Sequence, residues 1–188
     1  MKAFPLTRVT TLAGYVSALT KVGAPVDAGL RRARLPVLFD ERPDAWVPFR
    51  QLREFISDMA DREGIPDLAF HKAEIRSVFH ARYIHPVLVA PTLKLGLKRL
   101  AEGSRNQTTH MRAWLESAED RARFCMRFPF PPHSPGHSIS ETRTLKLVQQ
   151  VIHAFAGPEF EPTRIMLTSR RRDLRFDLEL AYKGVPVL

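Results

Sequence analysis

Two histidine pairs and one arginine-flanked cysteine are the residues of this chain whose types and spacing could support chemistry. His80 and His85 stand five apart, and His133 and His137 stand four apart in a proline-rich loop. Either pair could hold a metal if a third ligand converged on it, since metal sites need several His, Cys or carboxylate groups around one ion. Cys125 sits between Arg123 and Arg127, which share its face by strand alternation. Flanking cations lower a thiol pKa, and a nucleophilic thiol also needs a base. Ser134 and Ser138 flank His137, with Glu141 three residues beyond, but a serine triad requires an acid that orients the histidine. The ordinary alternatives are solvated histidines and a small, half-buried cysteine. The chain has no glycine-rich dinucleotide fingerprint, no P-loop, no G-x-S-x-G elbow and no H-E-x-x-H. Catalysis is therefore not the leading expectation, and no cofactor is expected.

The elements that would position these residues follow from periodicity. Met111, Ala113 and Leu115 alternate with polar neighbours, and Ala122, Phe124, Met126 and Phe128 alternate with arginines and Cys125. Period-two patterning on both sides of Ser117-Ala118-Glu119-Asp120 predicts an antiparallel hairpin with one apolar face. Trp114 falls on the other face, which predicts that this face is covered too, by a helix or a ligand. The loop from Pro129 to Ser138 holds four prolines. A helix from Ser140 to Ala156 follows, with Leu145, Val148, Ile152 and Phe155 inward; Ser138 and Glu141 form a capping-box pattern, and Ser140 is an equal candidate for the cap. A strand is predicted over Arg164 to Thr168.

Upstream, helices are predicted over Val9 to Val22, Val26 to Ala33 and Phe49 to Arg62, and a short one from Asp67. Gly23 and Gly64 serve as stops. Leu35 to Pro48 reads as an ordered connection whose Trp46 and Val47 dock on the core. Arg76 to Ala90 reads as either strand or packed loop. Thr92 caps a helix that runs through Ala101 and ends at Gly103. A last short helix is predicted over Leu174 to Tyr182, and Gly184 to Leu188 is extended. Ending on an apolar strand start suggests a fragment of a longer protein. The fold class is α+β: a helical N-terminal portion packed on a small antiparallel sheet with a long crossover helix. One domain spans 1–188, mostly helical over 1–90 and α+β over 91–188.

Composition narrows the setting. The chain has 188 residues, 44% of them hydrophobic and 26% charged, as in ordinary globular domains. One cysteine permits no internal disulfide, which suits a reducing compartment. No apolar run approaches the ~20 residues that span a bilayer, and Arg8, Thr10 and Thr11 interrupt any signal-peptide core. A cytoplasmic protein without a membrane role is expected. Twenty-nine Lys and Arg against 20 Asp and Glu give a net charge of +9. That excess favours polyanion partners and motivates a second reading, a basic module that binds nucleic acid directly.

The order of several short stretches carries a resemblance. Ala90-Pro91-Thr92-Leu93 opens a leucine-bearing helix with Leu97 and Leu100. The hairpin from Met111 to Phe128 follows. Glu141-Thr142-Arg143-Thr144-Leu145 opens the long helix, Phe160-Glu161-Pro162-Thr163-Arg164-Ile165 leads into the strand, and Tyr182-Lys183-Gly184-Val185-Pro186-Val187 closes the chain. In this order the chain resembles the N-terminal regulatory, arabinose-binding-like domain of AraC-type bacterial transcription regulators. The segment Arg76 to Val89 departs from that pattern in lacking glycine, and the helices are too many for a closed β-barrel. The resemblance implies a small-molecule effector, a possible homodimer, and DNA bound through a C-terminal helix-turn-helix module absent from this chain. On that reading the candidate effector-binding residues are Tyr83, Trp114, Phe124 and His137.

Overall fold

A computed structural model describes residues 4–65, 68, 84–118, 121–128, 130–134, 137–168, 178–179 and 181–188. The predicted short helix from Asp67, most of the Arg76 to Ala90 stretch read as strand or packed loop, and most of the predicted helix over Leu174 to Tyr182 therefore lie outside the described residues. So does Tyr83.

Strand β1 (Leu6–Arg8) leads through a 3-10 turn into helix α1 (Leu12–Lys21), then α2 (Val26–Arg32). Strand β2 (Trp46–Pro48) pairs antiparallel with β1 and runs directly into α3 (Phe49–Arg62). The β1–β2 ribbon was not foreseen: Leu6, Thr7 and Arg8 are too few to display a period, and Pro48 discourages a strand. The ribbon forms because Val47 inserts into the core (6% exposed) while the Arg8 guanidinium lies 4.2 Å from the Trp46 ring centroid outside it. Helix α3 has the predicted bounds. Its Leu52, Phe55, Ile56 and Met59 are sequestered with Leu12, Leu19 and Leu30 in a first apolar cluster. Gly29 lets α2 seat closely: a Cβ there would stand 3.1 Å from the Phe55 ring.

The second half builds its own cluster. Helix α4 (His85–Leu88) and α5 (Leu93–Gln107) precede the hairpin strands β3 (Arg112–Ala118) and β4 (Arg121–Arg127). The Thr92 hydroxyl accepts from the Leu95 N–H at 3.3 Å, the predicted cap, a bond that contributes about 1 kcal/mol. Gly103 does not end α5. Ser104 is buried, its hydroxyl bonds the Ala101 carbonyl at 2.6 Å, and the helix continues to Gln107. Packing here outweighs the roughly 1 kcal/mol by which glycine disfavours a helix.

The hairpin register pairs Leu115 with Phe124 and Trp114 with Cys125. Leu115 and Phe124 pack against Leu97, Leu100, Val148 and Val151. Helix α6 (His137–Ala156) starts three residues before the predicted Ser140. It divides its apolar side chains: Val148 and Val151 face the hairpin cluster, whereas Leu145 packs on a third cluster of Ile165, Leu178, Tyr182, Val185 and Val187. The predicted strand at Arg164 to Thr168 reduces to a parallel bridge between Ile165 and Val187.

The fold is thus mixed α+β, as expected, with two two-stranded antiparallel sheets among the described residues. The N-terminal helices close around the β1–β2 ribbon, and α5 and α6 cover the hairpin. Several contacts join the halves, among them the following. Thr7 bridges Thr108, with the Leu6 N–H on the Thr109 hydroxyl at 2.9 Å. The Arg143 guanidinium of α6 lies 5.0 Å from the ring centroid of buried Tyr15 on α1. Burial raises the Tyr15 phenol pKa despite that cation, so the phenol stays neutral.

Candidate functional site

Where the two halves meet, five rings stack in sequence. Phe49, at the start of α3, lies 4.1 Å from His110 and 5.3 Å from Phe130, centroid to centroid. Phe130 lies 5.5 Å from Phe128, and both abut His137 at 5.4 and 5.6 Å. The Arg53 guanidinium, one turn along α3, sits 4.3 Å from the Phe130 centroid. Four segments converge: α3, the α5–β3 connection, the exit of β4, and the first turn of α6. The phenylalanines past β4 continue the hairpin's apolar alternation beyond its last paired residue, and this directs them into the junction.

His137 and Glu141 are one turn apart on α6 and so share a face. Both are buried, at 2% and 5% exposure. Glu141 accepts from the Thr168 N–H at 2.6 Å and from the Thr168 hydroxyl at 2.9 Å. Since that hydroxyl gives its proton to Glu141, it must accept from His137 Nε2–H, 2.8 Å away. The proton therefore resides on Nε2, and Nδ1 is left as a lone-pair acceptor. His137 Nδ1 is buried with no hydrogen-bond partner among the described residues. Burial lowers the His137 pKa, Glu141 at 3.9 Å opposes this, and Arg53 lowers it further, so the ring is neutral at pH 7. Buried polar atoms seldom lack partners, and Nδ1 shares this state with Thr142 Oγ1, Gln150 Oε1, Glu161 Oε2 and Tyr182 OH among the described residues. The same geometry argues against a nucleophile relay, because the histidine donates to the hydroxyl and extracts no proton from it.

Removing the carboxylate should loosen this corner. Glu141→Ala is expected to destabilise the chain by about 1.5–3 kcal/mol, the range for charge-assisted bonds. Urea unfolding would detect this, and an unchanged midpoint would contradict the network.

His110 is held by the Leu6 carbonyl at 3.2 Å. Burial pushes its pKa down to about 4; the carbonyl opposes this and Arg53 adds to it. Protonation is then less favourable in the folded chain than in the unfolded chain, where histidine titrates near 6.5. Stability is expected to be full above pH 6.5 and to fall progressively as pH drops toward 4, with His137 acting in the same direction. The loss should be on the order of 1 kcal/mol after allowance for partial exposure. His110→Gln should flatten the dependence of the urea midpoint on pH across that window. An identical pH profile in the variant would refute the assignment.

Of the four residues singled out from sequence, the three that are described do not lie together. Tyr83 lies outside the described residues. Phe124 faces α5 and α6 within the second cluster. Trp114 stands on the opposite hairpin face, 37% exposed, its Nε1–H donating to Glu116 at 2.7 Å. The cover expected over that face is not seen among the described residues. Of the three described, only His137 reaches the junction. Arg53, His110, Phe130 and Thr168 were missed, and Glu141 was noted near His137 in the chain without a geometry to join them. Glu141 was visible as the last residue of a capping pattern, but that reading pointed it at its own helix end. Cys125 fits the ordinary reading of a small, half-buried thiol: burial and Glu116 raise its pKa and outweigh Arg123. No group of three potential metal ligands occurs among the described residues.

The family model described as the arabinose-binding domain of AraC transcription regulators, N-terminal, matches residues 23–187. This chain belongs to that family. The match takes in α2 through the closing bridge, and with it every residue of the junction from Phe49 to Thr168. No curated protein matches the chain. The AraC-family assignment makes it a regulatory, ligand-sensing domain of a transcription regulator. No helix among the described residues is long and apolar enough to cross a membrane.

Proposed function

We propose that residues 1–188 form one effector-sensing domain that binds its small molecule at the junction of the two halves, beside His137. The observation that carries this reading is the buried, unpartnered His137 Nδ1 against the rings of Phe128 and Phe130. An orphan acceptor beside apolar rings suits a ligand with one hydroxyl or N–H donor and an apolar flank. A ligand that prefers one arrangement of α3 against α6 would shift the population of domain states. Through that shift it would change how a DNA-binding module, carried beyond this chain, is presented, in the cytoplasm and in a homodimer. The role is binding without turnover, and no cofactor is involved.

A thermal-shift screen of small metabolites tests this. A ligand at 100 times its Kd should stabilise the chain by about 2.7 kcal/mol, raising Tm by roughly 5–10 °C. His137→Phe keeps the aromatic packing and removes the acceptor, so it should abolish most of that shift. No stabilising compound in a broad library, or an equal shift in the variant, would count against the site.

A further inference from the structure

One basic surface lies outside the effector junction. At the C-terminal end of α5 a groove of about 350 Å³ is lined by Arg105, Thr108, Thr109, Met111 and Arg112. We infer that this groove and the outward face of the hairpin bind the phosphodiester backbone of duplex DNA. The inference is independent of the effector site, and either can fail without the other.

Charge carries the argument. Arg112 pairs across the hairpin with Arg127, so two arginines hold directly opposed positions on one exposed face. Like charges at opposed cross-strand positions destabilise a sheet. Neither Arg112 nor Arg105 has an ion-pair or hydrogen-bond partner among the described residues. The acid nearby on the hairpin is Glu116, and it is occupied by Trp114 at 2.7 Å and Arg123 at 3.6 Å. An arriving anion would relieve the repulsion, whereas the free chain leaves it standing.

Shape selects the anion. Lys94, Lys98, Glu102 and Arg105 form an exposed stripe along α5, since offsets of four, eight and eleven residues return to one helix face. Glu102 is its one acid. At 1.5 Å per residue, Lys94 to Arg105 spans roughly 16 Å, enough to face several successive phosphates of a duplex. A membrane surface would need apolar side chains to insert, and this stripe has none. Trp114 is not free to serve, because its indole is tied to Glu116 and flanked by Arg127 at 6.0 Å.

The test is fluorescence anisotropy of the 188-residue chain with a labelled short duplex of scrambled sequence. If Lys94, Lys98, Arg105, Arg112 and Arg127 each displace one counterion, affinity should fall roughly 500-fold between about 50 and 200 mM salt. The double variant Arg105→Ala/Arg112→Ala should lose about two units of the log–log salt slope, leaving a fall of roughly 40-fold. Its Tm should be unchanged or higher, because a repulsive pair has been removed. A control, Arg31→Ala/Arg42→Ala, takes the same charge from elsewhere and should keep the full slope. No binding at low salt, or an equal slope loss in both double variants, would overturn the proposal. So would tighter binding to phosphatidylglycerol vesicles than to duplex at matched phosphate.

Discussion

Phe55→Ala is expected to cost about 3–5 kcal/mol, the range for deleting a phenyl ring from a closed core. Phe55 is 1% exposed and sits on α3 between Leu52 and Met59, facing Gly29 of α2. Gly29 carries no side chain that could fill the space, so the cavity would persist. For a chain of this size the loss corresponds to a fall in Tm of roughly 6–20 °C. The effect should reach the junction, because α3 also carries Phe49 and Arg53. Ligand binding should therefore weaken along with stability. Phe55→Leu, which keeps most of the volume, should cost far less. Calorimetry of the three proteins decides it, and a loss under about 1 kcal/mol in the alanine variant would mean that this core is not closed.

Gly96→Val is expected to act through crowding. A Cβ at Gly96 would stand 3.0 Å from two atoms of the Phe155 ring and 3.3 Å from the Val87 carbonyl. The ring can give by a few tenths of an ångström, but the carbonyl belongs to the α4 backbone. Valine adds two further methyl groups, and α5 would have to move from α4 and α6 at a cost of about 1–3 kcal/mol or more. Gly96→Ala tests the same contact gently: the gain of ~1 kcal/mol in helix propensity offsets the crowding, so a near-neutral result is expected. Chemical denaturation that ranked alanine below valine would contradict the packing of these three helices.

These two sites also show what the sequence could and could not reveal. Helix α3 was legible to the residue because Leu52, Phe55, Ile56 and Met59 repeat at helical spacing and Gly64 adopts positive φ just past its end. The hairpin was legible because its two runs alternate in phase, and the Leu115–Phe124 pairing follows from that phase. The end of α5 was not, because Gly103 resembles a stop, whereas the helix runs on to Gln107 with Ser104 buried and its hydroxyl on the Ala101 carbonyl. Nor was the β1–β2 ribbon, three residues against three. The junction was the least legible part. His137, Phe49 and Thr168 lie far apart in the chain, and nothing local marks an acceptor nitrogen that lacks a donor. Trp114 and Phe124 attracted attention as aromatics near a sheet, yet alternation alone puts them on opposite faces, as the register confirms.

The most direct measurement of the central claim is the nitrogen-15 resonance of the His137 ring, recorded with and without a stabilising ligand. In the free chain at neutral pH the ring should carry its proton on Nε2 and show Nδ1 as a bare acceptor. Ligand binding should move the Nδ1 resonance as a donor engages it and leave Nε2 on Thr168. A proton found on Nδ1 in the free chain, or an Nδ1 resonance indifferent to a saturating ligand, would contradict the account.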